Sequence, residues 1–487
     1  MTEIEAENLE RANCSWIGGS ACHDGPAFEV FNPATGEPVG LLADARSSSI
    51  DAAIQAAAQA FPAWSGTAPV DRAERLRAWA DLIEENTEQV AAIATAESGK
   101  LFREARGEVG AGVAAIRWAA QVAEDGVQED LPSPSPTRRL YTTKQAVGVV
   151  ACITPWNFPI AAVLVKVGAA VAAGCTVVVK PSEETPLVAA FLAQLSGDAG
   201  LPPGVINMVA MTNPSAFGNA IAASKDVRAV SFTGSTKVGK QLYEQCAGTV
   251  KRLALELGGN APFIVFADAD IDRAVTDAVN ARFYNAGQIC VGANRFFVHD
   301  SLYDDFAEKL TAKVAALNVG DGVDESSDLG PLINRRAKDH FLSLLDDATA
   351  KGAVVLTGGA HADGESLFVE PAVVINASDQ MDVYHKEIFG PMACLYRFDD
   401  DDDVVAMAND TDAGLAAYAY SEDREHLAAV GSRLEAGVVG LNTTQIFDNA
   451  LPFGGIKESG VGREHGYDGL DEFLELKSVS FELGDHQ

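Results

Sequence analysis

The pattern of apolar and polar positions along the chain predicts an α/β protein. From residue 48 to about 127, apolar residues recur every three or four positions, as at Ile54, Ala57 and Phe61, which indicates helices. Short β-branched runs then alternate with helical stretches over residues 148–256 and again over residues 261–440. The predicted strands are VGVVACI, TVVVK, VINMVA, VRAVSF and RLALEL in the first series and APFIVF, NRFFVH, AVVLTGG, CLYRF and VVGLN in the second. Strands that alternate with helices of this length form parallel sheets with crossover connections.

Two segments depart from this alternation. The segment LPSPSPTRRLYTTKQAV breaks the helical pattern, and the alternation at residues 140–143 predicts an exposed hairpin. The tail LELKSVSFEL is typical of a final strand. We therefore expect two α/β domains with a protruding hairpin and tail.

A nearly continuous apolar stretch at residues 160–179 has the length of a membrane span. It contains Lys166 and an Ala173-Gly174 break, and it runs directly into Lys180. We expect a buried helix, a turn and a buried strand there instead.

Composition and charge narrow the class of protein. The 487 residues include 36 Lys and Arg against 69 Asp and Glu, a formal net charge of −33. Such a negative surface repels phosphate backbones and anionic lipids, so we expect neither nucleic-acid nor membrane binding. The seven cysteines are scattered without a CxxC pair, and the acidic start MTEIEAENLE has no apolar segment, which together predict a cytoplasmic protein.

No metal site is predicted. The eight histidines show no HxxxH or HExxH spacing. The aspartate run at residues 399–403 is typical of a solvated helix start, with a cation site as the less favoured alternative.

One strand–turn–helix pattern, VRAVSFTGSTKVG at residues 227–239, has the form of a phosphate-binding turn. It continues as GxxxxGK, but Gln241 stands where a P-loop requires Ser or Thr. A purely structural turn is the alternative.

Three residues form a candidate catalytic set. Cys290, in YNAGQIC, lies among small and polar residues and is either a nucleophile or a small buried hydrophobe. Asn157, in PWNFP, offers an uncharged amide donor for an oxyanion. Glu256, in LELGGN, lies among leucines, where a raised pKa would suit a general base; a capping or surface carboxylate is the alternative.

These segments resemble the aldehyde dehydrogenase superfamily. The motifs PWNFP, FTGSTKVG, LELGGN, GQIC, EIFGP and PFGGIKESGVGRE occur in the family's order over essentially the whole chain. The resemblance implies an α/β fold with a Rossmann-like cofactor domain, a second α/β catalytic domain and a small β oligomerisation arm. These parts are expected at 1–127 with 147–257, at 258–465, and at 128–146 with 466–487, respectively.

The resemblance implies oxidation of an aldehyde to its acid. Cys290 attacks the carbonyl and Asn157 holds the oxyanion. Hydride passes to a nicotinamide, and Glu256 activates water to hydrolyse the thioester. Glu464, in GRE, is implied as a secondary proton-relay carboxylate.

The resemblance also implies a cofactor site. Glu183, three residues after Lys180, is expected to accept hydrogen bonds from the adenine ribose and to repel a 2′-phosphate, so NAD is preferred and NADP is the alternative. The implied cofactor residues are Thr154, Trp156, Lys180, Glu183, Gly218, Phe232, Gly234, Ser235, Leu257, Glu387 and Phe389.

Substrate choice separates this chain from the branch that it most resembles, the succinate-semialdehyde dehydrogenases. That branch holds the substrate carboxylate with two arginines and a serine, and the matching positions here are Val165, Tyr284 and Phe447. With Phe158 and Phe453 these residues predict a mostly aromatic tunnel and an uncharged aromatic or medium-chain aldehyde, because burying an unpaired carboxylate is costly.

Three further expectations accompany this one. A semialdehyde is the alternative substrate. A cofactor-independent thiol esterase or thioesterase is the alternative of a different class. A homodimer or homotetramer is expected from the arm.

Overall fold

The computed structural model describes residues 4–125, 128–135, 137–359 and 365–483. An eight-stranded sheet is built mainly from the first half of the chain. From edge to edge its strands are Ser20–Cys22, Ser15–Ile17, Ile206–Met208, Thr176–Lys180, Val149–Ile153, Val227–Thr233, Arg252–Glu256 and Gly460–Val461. The five central strands are parallel. In chain order they run 3-2-1-4-5, which is the order of dinucleotide-binding sheets, with the direction of winding reversing between Val149–Ile153 and Val227–Thr233.

A seven-stranded sheet is built from the second half of the chain. From edge to edge its strands are Val354–Thr357, Ala372–Ile375, Met392–Phe398, Ala293–His299, Ala261–Val265, Ala416–Tyr420 and Val438–Leu441. All neighbouring pairs are parallel except the first. The predicted α/β fold is therefore confirmed, although the sequence pattern did not predict Ala372–Ile375 or Ala416–Tyr420.

Helices cover the sheets. The segment predicted to be helical forms Ser47–Ser65, Pro69–Glu85, Thr87–Ser98 and Phe102–Glu124. Crossover and surface helices follow at Ala161–Ala172, Pro186–Asp198, Pro214–Ala223, Thr236–Cys246, Ile271–Phe283, Asp300–Ala315, Arg335–Ala350, Asp382–His385, Asp401–Asn409, Arg424–Arg433 and Asp468–Asp471. Ala6–Arg11 is a short first helix, and Ala247–Thr249 and Tyr284–Gly287 are 3₁₀ turns.

The apolar stretch at 160–179 forms the predicted helix, turn and strand. Gly174 makes the turn with a φ of +94°, a conformation that favours glycine. Within the described part of the chain, no helix has both the length and the apolar character needed to cross a membrane. The helix Asp401–Asn409 begins inside the aspartate run, where the side chain of Asp400 accepts the N–H of Asp403 at 3.1 Å, as a helix start predicts.

The predicted hairpin and tail form one three-stranded antiparallel sheet. Its strands are Gln128–Leu131, Arg138–Ala146 and Leu474–Glu482, and the last two pair over nine residues. Leu476 and Phe481 are 64% and 55% exposed on this sheet. The part that this sheet would play in oligomerisation stays a prediction, as do the domain boundaries. Residues 1–3, 126–127, 136, 360–364 and 484–487 of the predicted domains lie outside the described residues.

Two smaller sheets complete the structure. One pairs Ala27–Phe31 with Pro38–Ala43, and the other pairs Ala413–Gly414 with Ile456–Lys457.

Candidate active site

The carboxyl ends of the central parallel strands meet at one edge of the first sheet, where ligands bind in folds of this type. Glu256 ends the strand Arg252–Glu256, and its backbone carbonyl accepts the N–H of Gly234 at 3.0 Å. Thr154 follows the strand Val149–Ile153, and its N–H donates to the carbonyl of Lys180 at 3.1 Å. Four parts of the predicted site, at Thr154, Lys180, Gly234 and Glu256, therefore share this edge.

The structure brings Asn157 to the loop that carries Cys290. The Asn157 side-chain amide donates to the carbonyl of Gln288 at 2.9 Å. The Asn157 carbonyl in turn accepts the Asn285 side-chain amide at 3.1 Å. A Cβ at Gly259, three residues after Glu256, would overlap the carbonyl oxygen of Cys290. Asn157, Cys290 and the segment after Glu256 are thus packed together.

An unusual backbone presents Cys290. Asn285, Ala286 and Gly287 all have positive φ, at 50°, 53° and 72°. Such a run reverses the chain sharply after the helix Ile271–Phe283. Burial raises the pKa of the Cys290 thiol, and the carboxylates of Glu387 and Glu256 raise it further. The thiol therefore requires a base to become a nucleophile.

Glu256 has the environment of a general base. It is buried, and no side chain donates a hydrogen bond to its carboxylate oxygens. Burial raises its pKa well above the ordinary value; the negative charge of Glu464 raises it further, and the positive charge of Lys166 opposes this. The capping and surface alternatives do not describe this side chain.

Glu464 forms an ion pair with the buried Lys166, whose ammonium also donates to the Ser231 hydroxyl at 3.2 Å. Phe453 and Glu464 exchange two backbone hydrogen bonds of 2.7 Å, which fix the segment that carries Glu464. Because Lys166 and Glu464 both affect the pKa of Glu256, the three side chains form one electrostatic cluster.

The residues around Lys180 fit an adenine ribose. The Lys180 ammonium donates to the carbonyl of Pro181 at 2.9 Å and to the carboxylate of Glu183 at 3.0 Å. Glu183 is 40% exposed, whereas Lys180 is buried. The Thr154 hydroxyl is buried and has no hydrogen-bond partner, so a polar group remains for a ligand.

The turn after Val227–Thr233 fits a pyrophosphate. Ser235 caps the helix Thr236–Cys246 and accepts the N–H of Val238 at 3.4 Å. A Cβ at Gly234 would lie 2.5 Å from the Phe232 ring, so a larger residue here would require the ring to move. Leu257 packs against the same helix at Gly239, and Gly218 is buried on the neighbouring helix Pro214–Ala223.

Glu387 and Phe389 lie at the other end of the predicted cofactor site. Glu387 accepts the N–H of Gly259 at 3.1 Å, and burial raises its pKa to about 7. Phe389 packs edge to face on Trp156, with ring centroids 5.5 Å apart. A cleft of about 520 Å³ adjoins Glu387, and its other lining residues are Thr236, Gly258, Gly259, Asn260, His385, Asn409, Asp410, Thr411, Asp412, Ala413 and Glu458.

Aromatic pairs mark the predicted substrate tunnel. Phe158 stacks on Tyr284 at 6.3 Å, and Phe447 stacks on Phe453 at 4.8 Å. Tyr284 and Phe447 are exposed, whereas Phe453 is buried. The remaining predicted residue, Val165, is half-buried and precedes Lys166 in the helix Ala161–Ala172.

Sequence reasoning missed several buried charges at this site. The Lys100 ammonium donates to the Asn157 carbonyl at 2.8 Å and pairs with Glu108 at 2.5 Å. Glu108 also accepts the N–H groups of Ile160 and Ala161 at the start of a helix. These contacts join segments that are far apart in the chain, so no local sequence motif predicts them. Among the described residues, no group of three or more His, Cys, Asp or Glu side chains is arranged to hold a metal ion.

Comparison with known protein families gives a match over most of the chain. The sequence model described as "Aldehyde dehydrogenase family" matches residues 20–479. The chain belongs to the aldehyde dehydrogenase family. The resemblance inferred from the six motifs is therefore confirmed, and the chain is an NAD(P)-dependent aldehyde dehydrogenase.

Several aldehyde dehydrogenases are similar over nearly their full length. A protein of Sinorhizobium fredii named probable succinate-semialdehyde dehydrogenase, NADP(+), is 46% identical, and the match covers 92% of each chain. A glutarate-semialdehyde dehydrogenase of Pseudomonas putida is 43% identical over 96% of each chain. The crystal structure of a Staphylococcus aureus betaine aldehyde dehydrogenase in complex with NAD+ is 32% identical, with a TM-score of 0.95 and coverage of 100% of this chain and 98% of that one.

Proposed function

We propose that Cys290, Asn157 and Glu256 are the catalytic residues of this aldehyde dehydrogenase, which converts an aldehyde and water to a carboxylic acid. The proposal rests on one observation: an amide donor, a half-buried thiol and a buried carboxylate without a side-chain partner lie close together at the carboxyl edge of the first sheet. This is the arrangement that covalent catalysis followed by hydrolysis requires.

The roles follow from the geometry. The Cys290 thiol loses its proton to solvent and its sulfur bonds to the aldehyde carbon. One N–H of the Asn157 amide stabilises the resulting oxyanion while the other bonds to the Gln288 carbonyl. The cofactor, when bound, accepts the hydride that leaves this carbon. Glu256 then takes a proton from water, the water oxygen adds to the thioester carbon, and the carbon–sulfur bond breaks. The raised pKa of Glu256 makes it a stronger base than an ordinary carboxylate.

Glu464 and Lys166 are proposed to carry the proton away from Glu256. Their ion pair lies beside Glu256 and influences its pKa in two opposite directions. Glu464 is partly exposed, with 17% of its side chain accessible, and therefore gives the buried carboxylate a route towards solvent.

NAD remains the preferred cofactor in this proposal, with NADP as the alternative. The preference rests on the carboxylate of Glu183, which would repel the 2′-phosphate of NADP if it contacts the adenine ribose as proposed. The ammonium of Lys180, 3.0 Å from the Glu183 carboxylate, partly offsets this negative charge. The Sinorhizobium fredii relative is named for NADP(+). Both observations keep NADP as the alternative. The ratio of kcat/KM for the two cofactors tests this preference.

The substrate has two candidates. The names of two similar relatives favour a semialdehyde over the uncharged aldehyde that the tunnel residues predicted, so a semialdehyde is the first candidate. An uncharged aromatic or medium-chain aldehyde is the second, because Tyr284 and Phe447 contribute to two stacked aromatic pairs where the semialdehyde branch is expected to carry an arginine and a serine.

An aldehyde panel tests both candidates. The formation of reduced cofactor is followed with succinate semialdehyde, glutarate semialdehyde, benzaldehyde and hexanal, with Cys290→Ala as the control. A kcat/KM at least about tenfold higher for a semialdehyde supports the first candidate, and the reverse order supports the second. Release of acid from an ester such as 4-nitrophenyl acetate without cofactor, with no reduced cofactor formed from any aldehyde, would instead indicate a thiol esterase.

Two properties complete the proposal. The sheet of Gln128–Leu131, Arg138–Ala146 and Leu474–Glu482 has open edges and exposed apolar side chains, which supports pairing between subunits in a homodimer or homotetramer. The scattered free cysteines support a reducing compartment, and we propose the cytoplasm.

A further inference from the structure

Arg282 is a fully buried arginine that no step of the proposed reaction uses. It lies in the last turn of the helix Ile271–Phe283 and is 1% exposed. A buried guanidinium is costly unless its donors are satisfied. Nη1 and Nη2 donate to uncharged oxygens of the surrounding segments, whereas Nε has no hydrogen-bond partner, so the side chain is a structural fork and not half of an ion pair.

The loop that carries Cys290 wraps around this guanidinium. One terminal nitrogen, Nη1, donates to the Asn294 side chain at 2.7 Å and to the Ala293 carbonyl at 3.3 Å. The other, Nη2, donates to the Gly287 carbonyl at 2.8 Å. The fork thus holds the loop on both sides of Cys290.

Two glycines show how closely the Cys290 loop packs against the guanidinium of Arg282. A Cβ at Gly287 would lie 2.8 Å from Nη2 of Arg282, and a Cβ at Gly292 would lie 3.1 Å from Nη1. The loop therefore has little freedom to move relative to the guanidinium.

The same guanidinium also reaches the segment that carries the cofactor residues Glu387 and Phe389. Nη2 donates to the carbonyl of Gly390 as well as to that of Gly287. Phe389, the residue before Gly390, has a φ of +49°, a conformation that a bulky side chain adopts only where its surroundings impose it. One nitrogen therefore joins the nucleophile loop to the nicotinamide end of the predicted cofactor site.

We infer that Arg282 is a positioning residue that fixes the spacing between the Cys290 loop and the Glu387–Phe389 segment. The inference rests on the proposed function, because it is this spacing that would align the thiol with the bound cofactor. A guanidinium suits the task, since its planar fork can satisfy several acceptors in fixed directions.

The test uses Arg282→Gln and Arg282→Lys, with Arg72→Gln as the matched control. Arg72 is likewise buried and donates to backbone carbonyls, those of Ala172 at 3.1 Å and Thr67 at 2.5 Å, but it lies outside the site. Three readouts are measured: thermal unfolding, the rate of the first turnover of reduced cofactor, and the rate at which iodoacetamide alkylates Cys290 with and without saturating NAD+. Peptide mass spectrometry assigns the alkylation to Cys290.

The inference predicts a larger loss of the first-turnover rate in Arg282→Gln than in Arg282→Lys. Relative to wild type, the first-turnover rate falls at least about tenfold in Arg282→Gln and about threefold in Arg282→Lys. The reason is that a small misplacement of the reacting groups lowers the reaction rate steeply. Alkylation of Cys290 in Arg282→Gln no longer changes when NAD+ is added. Arg72→Gln melts at a lower temperature but retains the wild-type turnover rate and the wild-type response to NAD+.

Wild-type behaviour of the Arg282 variants would overturn the inference. If folded Arg282→Gln keeps a first-turnover rate and an NAD+ response within twofold of wild type, the arginine only fills the core. If Arg282→Gln does not fold, Arg282→Lys decides by the same comparison. If wild type itself produces no reduced cofactor, the proposed function fails, and the alkylation rates still test Arg282 because they require no turnover.

Discussion

The side-chain amide of Asn157 donates a hydrogen bond to the carbonyl of Gln288 at 2.9 Å, two residues before Cys290. An amide carries two N–H groups, so one orients the side chain and the other remains for an oxyanion beside the thiol. The nucleophile loop therefore sets the direction of its own oxyanion donor.

Replacing Asn157 tests this arrangement. Asn157→Ala is expected to lower kcat by about 100-fold to 1000-fold, the usual effect of losing one oxyanion donor. The matched control is Asn207→Ala, which removes a buried amide bonded to the carbonyls of Val177 and Gly204 away from the thiol. It should lower the melting temperature and leave kcat within about twofold. Equal losses of kcat in both variants would show that Asn157 is only structural.

The reactivity of Cys290 should increase with pH. Burial and three neighbouring carboxylates raise the pKa of the thiol, so the thiolate fraction keeps growing as the pH rises through the alkaline range. Alkylation of Cys290 by iodoacetamide, without cofactor, should rise from about pH 7 to about pH 10 without a plateau. A plateau below about pH 8 would indicate a thiol that is already ionised.

Lys166 and Glu464 should move the pH profile of kcat in opposite directions. The positive charge of Lys166 lowers the pKa of Glu256 and the negative charge of Glu464 raises it. Lys166→Met should therefore shift the acid limb of the profile to higher pH and Glu464→Gln to lower pH, each by up to about one unit. Shifts of the same sign would contradict the electrostatic cluster.

Glu183 should control the choice between NAD and NADP. Glu183→Gln removes the charge that opposes a 2′-phosphate and leaves Lys180 to attract it, so the kcat/KM ratio of NADP to NAD should rise at least about tenfold. The control is Glu184→Gln, because the Glu184 carboxylate instead accepts the side-chain amide of Asn334 at 2.7 Å. An equal change in both variants would point to net charge and not to contact with the ribose.

The sequence predicted the elements whose signals are local. Most strands of both sheets have β-branched runs bounded by turns, and Asn157, Glu256 and Cys290 lie in short segments with recognisable chemistry. The strand Ala416–Tyr420 was not predicted. Its sequence, AAYAY, is buried at every position and contains no β-branched residue, so neither alternation nor composition indicates a strand.

Long-range polar contacts could not be predicted in the same way. Lys166 and Glu464 are separated by 298 positions and meet only because the chain returns to the first sheet. Arg282 bonds mainly to backbone carbonyls, which every residue possesses and which the sequence therefore does not distinguish. The candidate catalytic residues were accessible from the sequence, but the residues that position them were not.

The central claim is that Cys290 forms a thioester that Glu256 hydrolyses. The most direct test is rapid mixing of Glu256→Gln with NAD+ or NADP+ and the best aldehyde of the panel, followed by intact-protein and peptide mass spectrometry. The account predicts one equivalent of reduced cofactor per site, an acyl group on Cys290, and steady-state turnover about 100-fold or more below wild type. Normal steady-state turnover of Glu256→Gln, or reduced cofactor without an acyl group on Cys290, would contradict it.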